Sequence, residues 1–176
     1  MRAALAQHDA IAQARVTAHR GTVVKTTGDG IHAVFADPLD AVRAAVALQL
    51  ALAAADSTNG IALRVRCGLH AGVDERRDND YFGNAVNRAA RVMTAAHGGQ
   101  ILLARAAHEL VAGALPAGVG LHDLGDHRLP DLAESERVHQ VVAADLPAEF
   151  PPLAGREVRA AGLPAAATPL LGRAGE

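Results

Sequence analysis

Aromatic side chains are scarce in this 176-residue chain, which has three Phe, one Tyr and no Trp. An aromatic core is thereby excluded, and with alanine abundant, small residues must do much of the packing. The same scarcity removes the stacking platform that single-stranded nucleic acid requires. Excess positive charge is also missing: 17 Lys and Arg stand against 19 Asp and Glu. No long-range basic field is therefore present to neutralise phosphates along a nucleic-acid strand. Cysteine is limited to Cys67, which rules out an intrachain disulfide and a multi-cysteine zinc site and gives no sign of an oxidising compartment. Long hydrophobic runs are lacking as well. Gln7, His8 and Asp9 interrupt the opening residues, so there is no continuous apolar segment like that of a signal peptide. The most apolar stretch, Val42 to Ala55, reads as too short to cross a membrane and as a buried, alanine-rich helix. The expected compartment is the cytoplasm, with no membrane and no nucleic acid as partner.

What remains is globular composition, half hydrophobic and a fifth charged, of a length suited to one domain and a tail. Ala4, Leu5, His8, Ile11, Ala12 and Val16 recur at helical spacing. The segment from Thr22 to Ala36 then puts β-branched residues on both sides of a Gly-Asp-Gly, which predicts an antiparallel hairpin. Asp37 and Pro38 predict the start of a helix running to about Ala55. Alternation from Ile61 to Gly72 predicts a strand, and Arg76 to Asp80 reads as a polar loop. A helix comes next, from Gly83 to about His97. Short strands at Ile101 to Leu103, Val119 to Leu124 and Val138 to Ala143, with a helix around Ala104 to Val111, complete the pattern. Two consecutive strands sharing a tight turn make this an α+β layered sheet and exclude a doubly wound parallel one. After Asp145 prolines accumulate, so the domain is expected to end at residue 145 and residues 146–176 to form a Pro/Ala-rich linker.

Two constellations could carry chemistry. KTTGDG (residues 25–30) puts Lys25 and Asp29 on the hairpin, where Asp29 is a hard oxygen ligand suited to magnesium. The plainer alternative is a common Asp-Gly turn beside an incidental lysine. DYFGNAVNRAAR (80–91) supplies Asp80 on a loop, and Asn87 and Arg91 four apart on one helical face. A guanidinium there can fork onto phosphate oxygens, and an Asn amide can hold a ribose group. The plainer alternative is a solvated helix face with Asn84 as N-cap.

Taken with LRVRCGLHAG (63–72) and HGGQILLA (97–104), in that order and spacing, these segments resemble the class III adenylate and guanylate cyclases over about residues 1 to 143. The resemblance implies a ferredoxin-like sheet with packed helices, working as a head-to-tail homodimer that converts ATP to cyclic AMP and pyrophosphate with Mg2+ or Mn2+ for intracellular signalling. Lys25 and Asp80 fall where the family reads the purine, and a lysine donor with a carboxylate acceptor suits adenine. Asn87 and Arg91 fall on the transition-state pair, Asn87 orienting the ribose and Arg91 meeting charge on the triphosphate. Asp29 matches the second of two metal-binding aspartates, and it would serve the partner subunit's site.

The sequence departs from the family in two places. The family's first strand, which carries the other metal aspartate, has no counterpart here. On that reading the chain begins within the domain, one carboxylate is left for the metal, and two interior strand edges lack a partner. In LGDHRLPDL (124–132) Pro130 stands where relatives often have a triphosphate-contacting lysine, and His127 and Arg128 read as exposed strand-end residues. His32, His70 and His139 have no metal-ligand spacing and read as structural. LPAAATPLLGRAGE (163–176) resembles the lead-in to an ATPase domain. The alternative to an enzyme is a non-catalytic cyclase-like module that dimerises or senses nucleotide for an attached regulator.

Overall fold

The computed structural model describes residues 2–28, 30–59, 63–77, 80–153 and 156–158. Helix α1 (Arg2–Ala18) leads to a hairpin of β1 (Thr22–Thr27) and β2 (Gly30–Val34), then α2 (Pro38–Asn59) and β3 (Cys67–Leu69). A second hairpin, β4 (Glu75–Arg77) and β5 (Asp80–Phe82), precedes α3 (Asn84–Ala95), β6 (Ile101–Ala104) and α4 (Arg105–Val111). The chain continues with β7 (Val119–Arg128), β8 (Glu136–Ala143) and β9 (Arg156–Glu157). The main sheet has the order β3-β6-β8-β7-β9, parallel at β3/β6 and antiparallel elsewhere. The architecture is the α+β sheet with packed helices that the sequence predicts, with one parallel pairing in it.

Strand β6 lies at the centre of the body because every side chain in it is apolar and covered, as a strand buried on both faces requires. Its period-two alternation divides the core. Leu102 and Ala104 meet α3 through Val92 and Ala95, with Leu129, Val138 and Leu153. Ile101 and Leu103 meet α2 and α4 through Val42, Ala45, Ala107 and Val111. A third cluster has Ala12 of α1 with Leu48 and Leu52 of α2, against which pack Ile31 of β2 and Leu63, Val65 and Cys67 approaching β3. The two long helices thus join the first hairpin to the main sheet. Among the described residues, β2 pairs only with β1, and β3 only with β6. Burial pushes the Cys67 thiol up to about 12, and it packs as a partly buried apolar residue against two of the core clusters.

Several elements differ from the sequence reading, each for a local reason. Helix α2 runs to Asn59, and its window Pro38–Ala55, at mean hydropathy 1.4, is long and apolar enough to cross a membrane by length and composition. Here its Val42, Leu48 and Leu52 lie in the cores. The strand expected from Ile61 is confined to Cys67–Leu69, the residues paired with β6, although Leu63 to Arg66 keep the predicted alternation of half-buried and exposed positions. Arg76, Arg77 and Asp80, from the segment read as a loop, belong to the β4/β5 ladder. Leu5 is exposed, whereas His8, Ala12 and Val16 form the buried stripe of α1.

The segment read as a linker from residue 146 packs on the body as far as it is described. Gln140 Nε2 donates to the Ala148 carbonyl at 2.8 Å, Leu153 is buried, and β9 pairs with β7. Proline keeps this chain extended, and an extended chain can still bury a leucine and add a strand to an edge. His127, read as exposed, is buried with Nε2 2.9 Å from the Leu124 carbonyl. A register shift between Asp123 and Gly125, whose φ is 85°, changes the facing of the strand beyond it.

Replacing Leu102, which is fully buried, by Ala should destabilise the fold by about 2–5 kcal/mol. Leu110→Ala, at an exposed position of α4, should change it by less than about 0.5 kcal/mol. Urea denaturation of the two variants checks this, and equal midpoints would refute the assignment of the core.

Candidate functional site

Lys25 sits just past a register shift in the first hairpin and lies opposite His32 of β2. Its ammonium reaches the second hairpin, with Nζ 2.5 Å from Asp80 Oδ2 and 5.8 Å from the centre of the Phe82 ring. Asp80 opens β5, and its Oδ1 accepts the Tyr81 amide at 2.8 Å. The Lys25 bond first, and then the Tyr81 amide, hold the Asp80 carboxyl below the usual carboxylate range. Burial, and secondarily the Lys25 charge, push His32 below the ordinary histidine range, which disfavours a second cation behind the lysine. The structure therefore brings Lys25 and Asp80 together from positions 55 apart in sequence.

Asn87 and Arg91 lie on α3, which the sequence makes amphipathic. Val92 and Ala95 are buried on one side, and Asn87 is exposed on the other. Arg88 Nη1 lies 2.5 Å from the buried Glu136 Oε2, which pins the helix to β8. Arg91 is paired with Asp131 at 2.8 Å, a contact in which both partners keep solvent access. The N-cap is Gly83, with Asn84 as the first helical residue, so the expected Asn84 cap is not formed. Asp74 supplies the cap from outside the helix, accepting the amides of Ala85 at 3.0 Å and Val86 at 2.7 Å.

Asp29 lies outside the described residues. Among the described residues no group of three or more His, Cys, Asp or Glu is arranged to hold a metal ion. These described side chains do not by themselves build a divalent-metal centre. Arg128 and Pro130 are exposed at the end of β7 and beyond it.

Sequence reasoning missed Asp74, Phe82 and Asp131. Phe82 is half exposed beside Lys25 and offers an apolar surface next to a polar pair. Its signal was its place in DYFG. Asp131 comes after Pro130 and has φ 59°, and nothing in the spacing tied it to Arg91. A separate open recess of about 590 Å3 is lined by Leu121 and by charged and imidazole side chains that include Arg105, His108, Asp123, Arg137 and His139, none of them a predicted site residue. Its arginines are already engaged by aspartates, Arg137 with Asp123 and Arg105 with Asp126. The Arg137 bond pushes Asp123 down to about 2.

A family profile described as the adenylate and guanylate cyclase catalytic domain matches residues 1–134. An uncharacterised protein of Mycobacterium tuberculosis is 39% identical over 155 residues, covering 87% of this chain and 52% of its own length. The chain thus spans about half the length of that relative. A solved structure from work on adenylate cyclases of Trypanosoma brucei in their monomeric state is 26% identical, with a TM-score of 0.71 over 90% of this chain and 86% of the other. An adenylate/guanylate cyclase/hydrolase from Silicibacter pomeroyi is 28% identical with a TM-score of 0.67, covering 75% and 78%.

Because the folded Asp80 carboxyl is depressed, the stabilising effect of its ion pair is present above the unfolded carboxylate pKa and fades as pH falls through the folded one. Lys25→Met should raise the Asp80 pKa toward the ordinary value, read from the side-chain carboxyl carbon by NMR titration. An unchanged titration would mean that the pair does not persist in solution.

Proposed function

Because the chain belongs to the family of adenylate and guanylate cyclase catalytic domains, we propose that it cyclises ATP to cyclic AMP and pyrophosphate at the interface of a homodimer in the cytoplasm. The observation that carries the choice of ATP is the Lys25–Asp80 pair, a single donor and a carboxylate acceptor within one hydrogen bond of each other. Adenine offers a ring-nitrogen acceptor beside an exocyclic amino donor, so Lys25 donates to the ring and Asp80 accepts from the amino group. Guanine presents the opposite pattern on that edge. Exchanging the ion pair for these two bonds costs little, because a pair open to solvent gains little from its own attraction. Both side chains here keep solvent access.

In the reaction the ribose 3′-oxygen attacks the α-phosphorus. The bond from that phosphorus to the bridging oxygen breaks, pyrophosphate leaves, and the 3′-hydroxyl proton passes to solvent. Asn87 holds the ribose, and Arg91, released from Asp131, donates to phosphate oxygens whose charge grows as the bond breaks. A bound Mg2+ or Mn2+ would supply further neutralisation of the triphosphate, with Asp29 as the carboxylate that the resemblance assigns to it.

A second reading, a cyclase-like module that binds nucleotide without turnover, is favoured by one observation: Arg91 is already neutralised by Asp131.

Incubating the purified chain with ATP or GTP and Mg2+ or Mn2+, with products separated by chromatography, tests the proposal. Cyclic AMP should form in preference to cyclic GMP. Changing Lys25 and Asp80 together should erode that preference, which can reach about ten-thousand-fold where a polar contact is matched. Arg91→Ala should lower kcat by roughly a hundredfold with little change in KM. Nucleotide binding without turnover by the unaltered chain would favour the second reading, and an Arg91 effect confined to KM would refute its transition-state role.

A further inference from the structure

The substrate-reading residues sit on two elements that need a fixed relation. Asp80 is on the β4/β5 hairpin, whereas Asn87 and Arg91 are on α3. Gly83, between them, has no side chain to cap the helix. Asp74 performs that role across the base of the hairpin, one residue before β4, with each carboxylate oxygen on a different first-turn amide of α3. The contact is closely fitted. A Cβ on Gly83, where φ is 155°, would lie 2.1 Å from Asp74 Oδ1. A Cβ on Gly72 would lie 2.7 Å from that of Ala85, so the segment leading into Asp74 is itself pressed against the first turn of the helix.

We propose that Asp74 is a positioning residue that locks the hairpin carrying Asp80 to the helix carrying Asn87 and Arg91. It thereby sets the span between the groups that read the base and those that act on the sugar and phosphates. This rests on the reading of those groups as substrate residues. Asp74 touches neither substrate nor reacting atoms; it acts through the first turn of α3. Losing both bonds frees the helix entry to shift relative to β5, and a misplacement of about 1 Å can cost on the order of a hundredfold in rate.

The test compares Asp74→Ala, Asp74→Asn and Val138→Ala in the full chain, at a temperature where all remain folded. Val138 is fully buried, so its truncation loosens the core without touching the clamp. In Asp74→Ala, amide exchange at Ala85 and Val86 should quicken by roughly tenfold. kcat for ATP should fall by roughly tenfold to a hundredfold, with KM changed less than about threefold, and the ATP-over-GTP ratio should narrow. Asp74→Asn keeps one acceptor oxygen and should recover most of the loss. Val138→Ala should lower the melting temperature while leaving the ATP-over-GTP ratio intact.

A ratio and kcat unchanged in Asp74→Ala, or reduced equally in Val138→Ala, would overturn the proposal. If the unaltered chain has no turnover, the functional reading fails on its own. The exchange measurement then decides the clamp, and unchanged protection at Ala85 and Val86 in Asp74→Ala refutes it.

Discussion

The buried carboxylate of Glu136 is the contact on which the arrangement of this molecule turns. It lies on β8 at 3% exposure, and it accepts from Arg88 of α3 and from the backbone amide of Arg105, which opens α4. A charge taken this far out of water is tolerated only when paired and hydrogen-bonded, and both requirements are met by elements from opposite faces of the sheet. One side chain therefore fixes where α3 lies on one face and where α4 begins on the other. Gly68 tightens the same docking, since a Cβ there would be 2.3 Å from the Met93 backbone. The face of α3 turned to solvent is dictated by the face turned to the sheet. Once Arg88 and Val92 are directed inward, Asn87 and Arg91 must look outward.

Much of this was legible in the sequence, because each legible feature has a short-range cause. The hairpin around Gly-Asp-Gly, the start of α2 at Asp37-Pro38, and the amphipathic α3 each arise from turn chemistry, capping or period. Asp37 Oδ1 indeed accepts the Leu39 amide at 2.9 Å. Pairings over long separations were less accessible. That Lys25 meets Asp80 was implied only by resemblance, since nothing local to either residue specifies the other. Asp74 as the cap of α3 was hidden because capping is sought in the residue just before a helix, and here the cap comes from across a hairpin. The extent of β3 was overestimated for a related reason. Alternation reports which face is buried, whereas a ladder needs a partner, and only Cys67 to Leu69 have one in β6.

The first hairpin and the main sheet share no ladder among the described residues, so α1 and α2 carry the connection between them. Ala12, Leu48 and Leu52 are small or flexible enough to let both helices sit close above Ile31, Val65 and Cys67. A composition poor in aromatic residues makes this possible, because alanine allows short interhelical distances that Phe or Trp would forbid. The placement of Lys25 relative to Asp80 thus depends on helix packing at one end and on the Lys25–Asp80 bond at the other. Among the described residues no sheet ladder joins the two.

Each cation assigned to the nucleotide is already held by a carboxylate: Lys25 by Asp80, and Arg91 by Asp131. Opening the two pairs has different electrostatic consequences. Asp80 is itself assigned a bond to the base, so both members of its pair are reused and no charge is left behind. Asp131 has no such role, and a triphosphate approaching Arg91 must displace an anion that then sits beside it in solvent. At 72% exposure Asp131 is readily hydrated, so its displacement is inexpensive, yet its negative charge still opposes the ligand that replaces it. The loop after β7, where Asp131 follows Pro130, would present a carboxylate to a triphosphate bound at Arg91. The phosphate side of the proposed site therefore leans on Arg91 more heavily than the motif alone conveys, and its electrostatic balance is set by the loop after β7 as much as by α3.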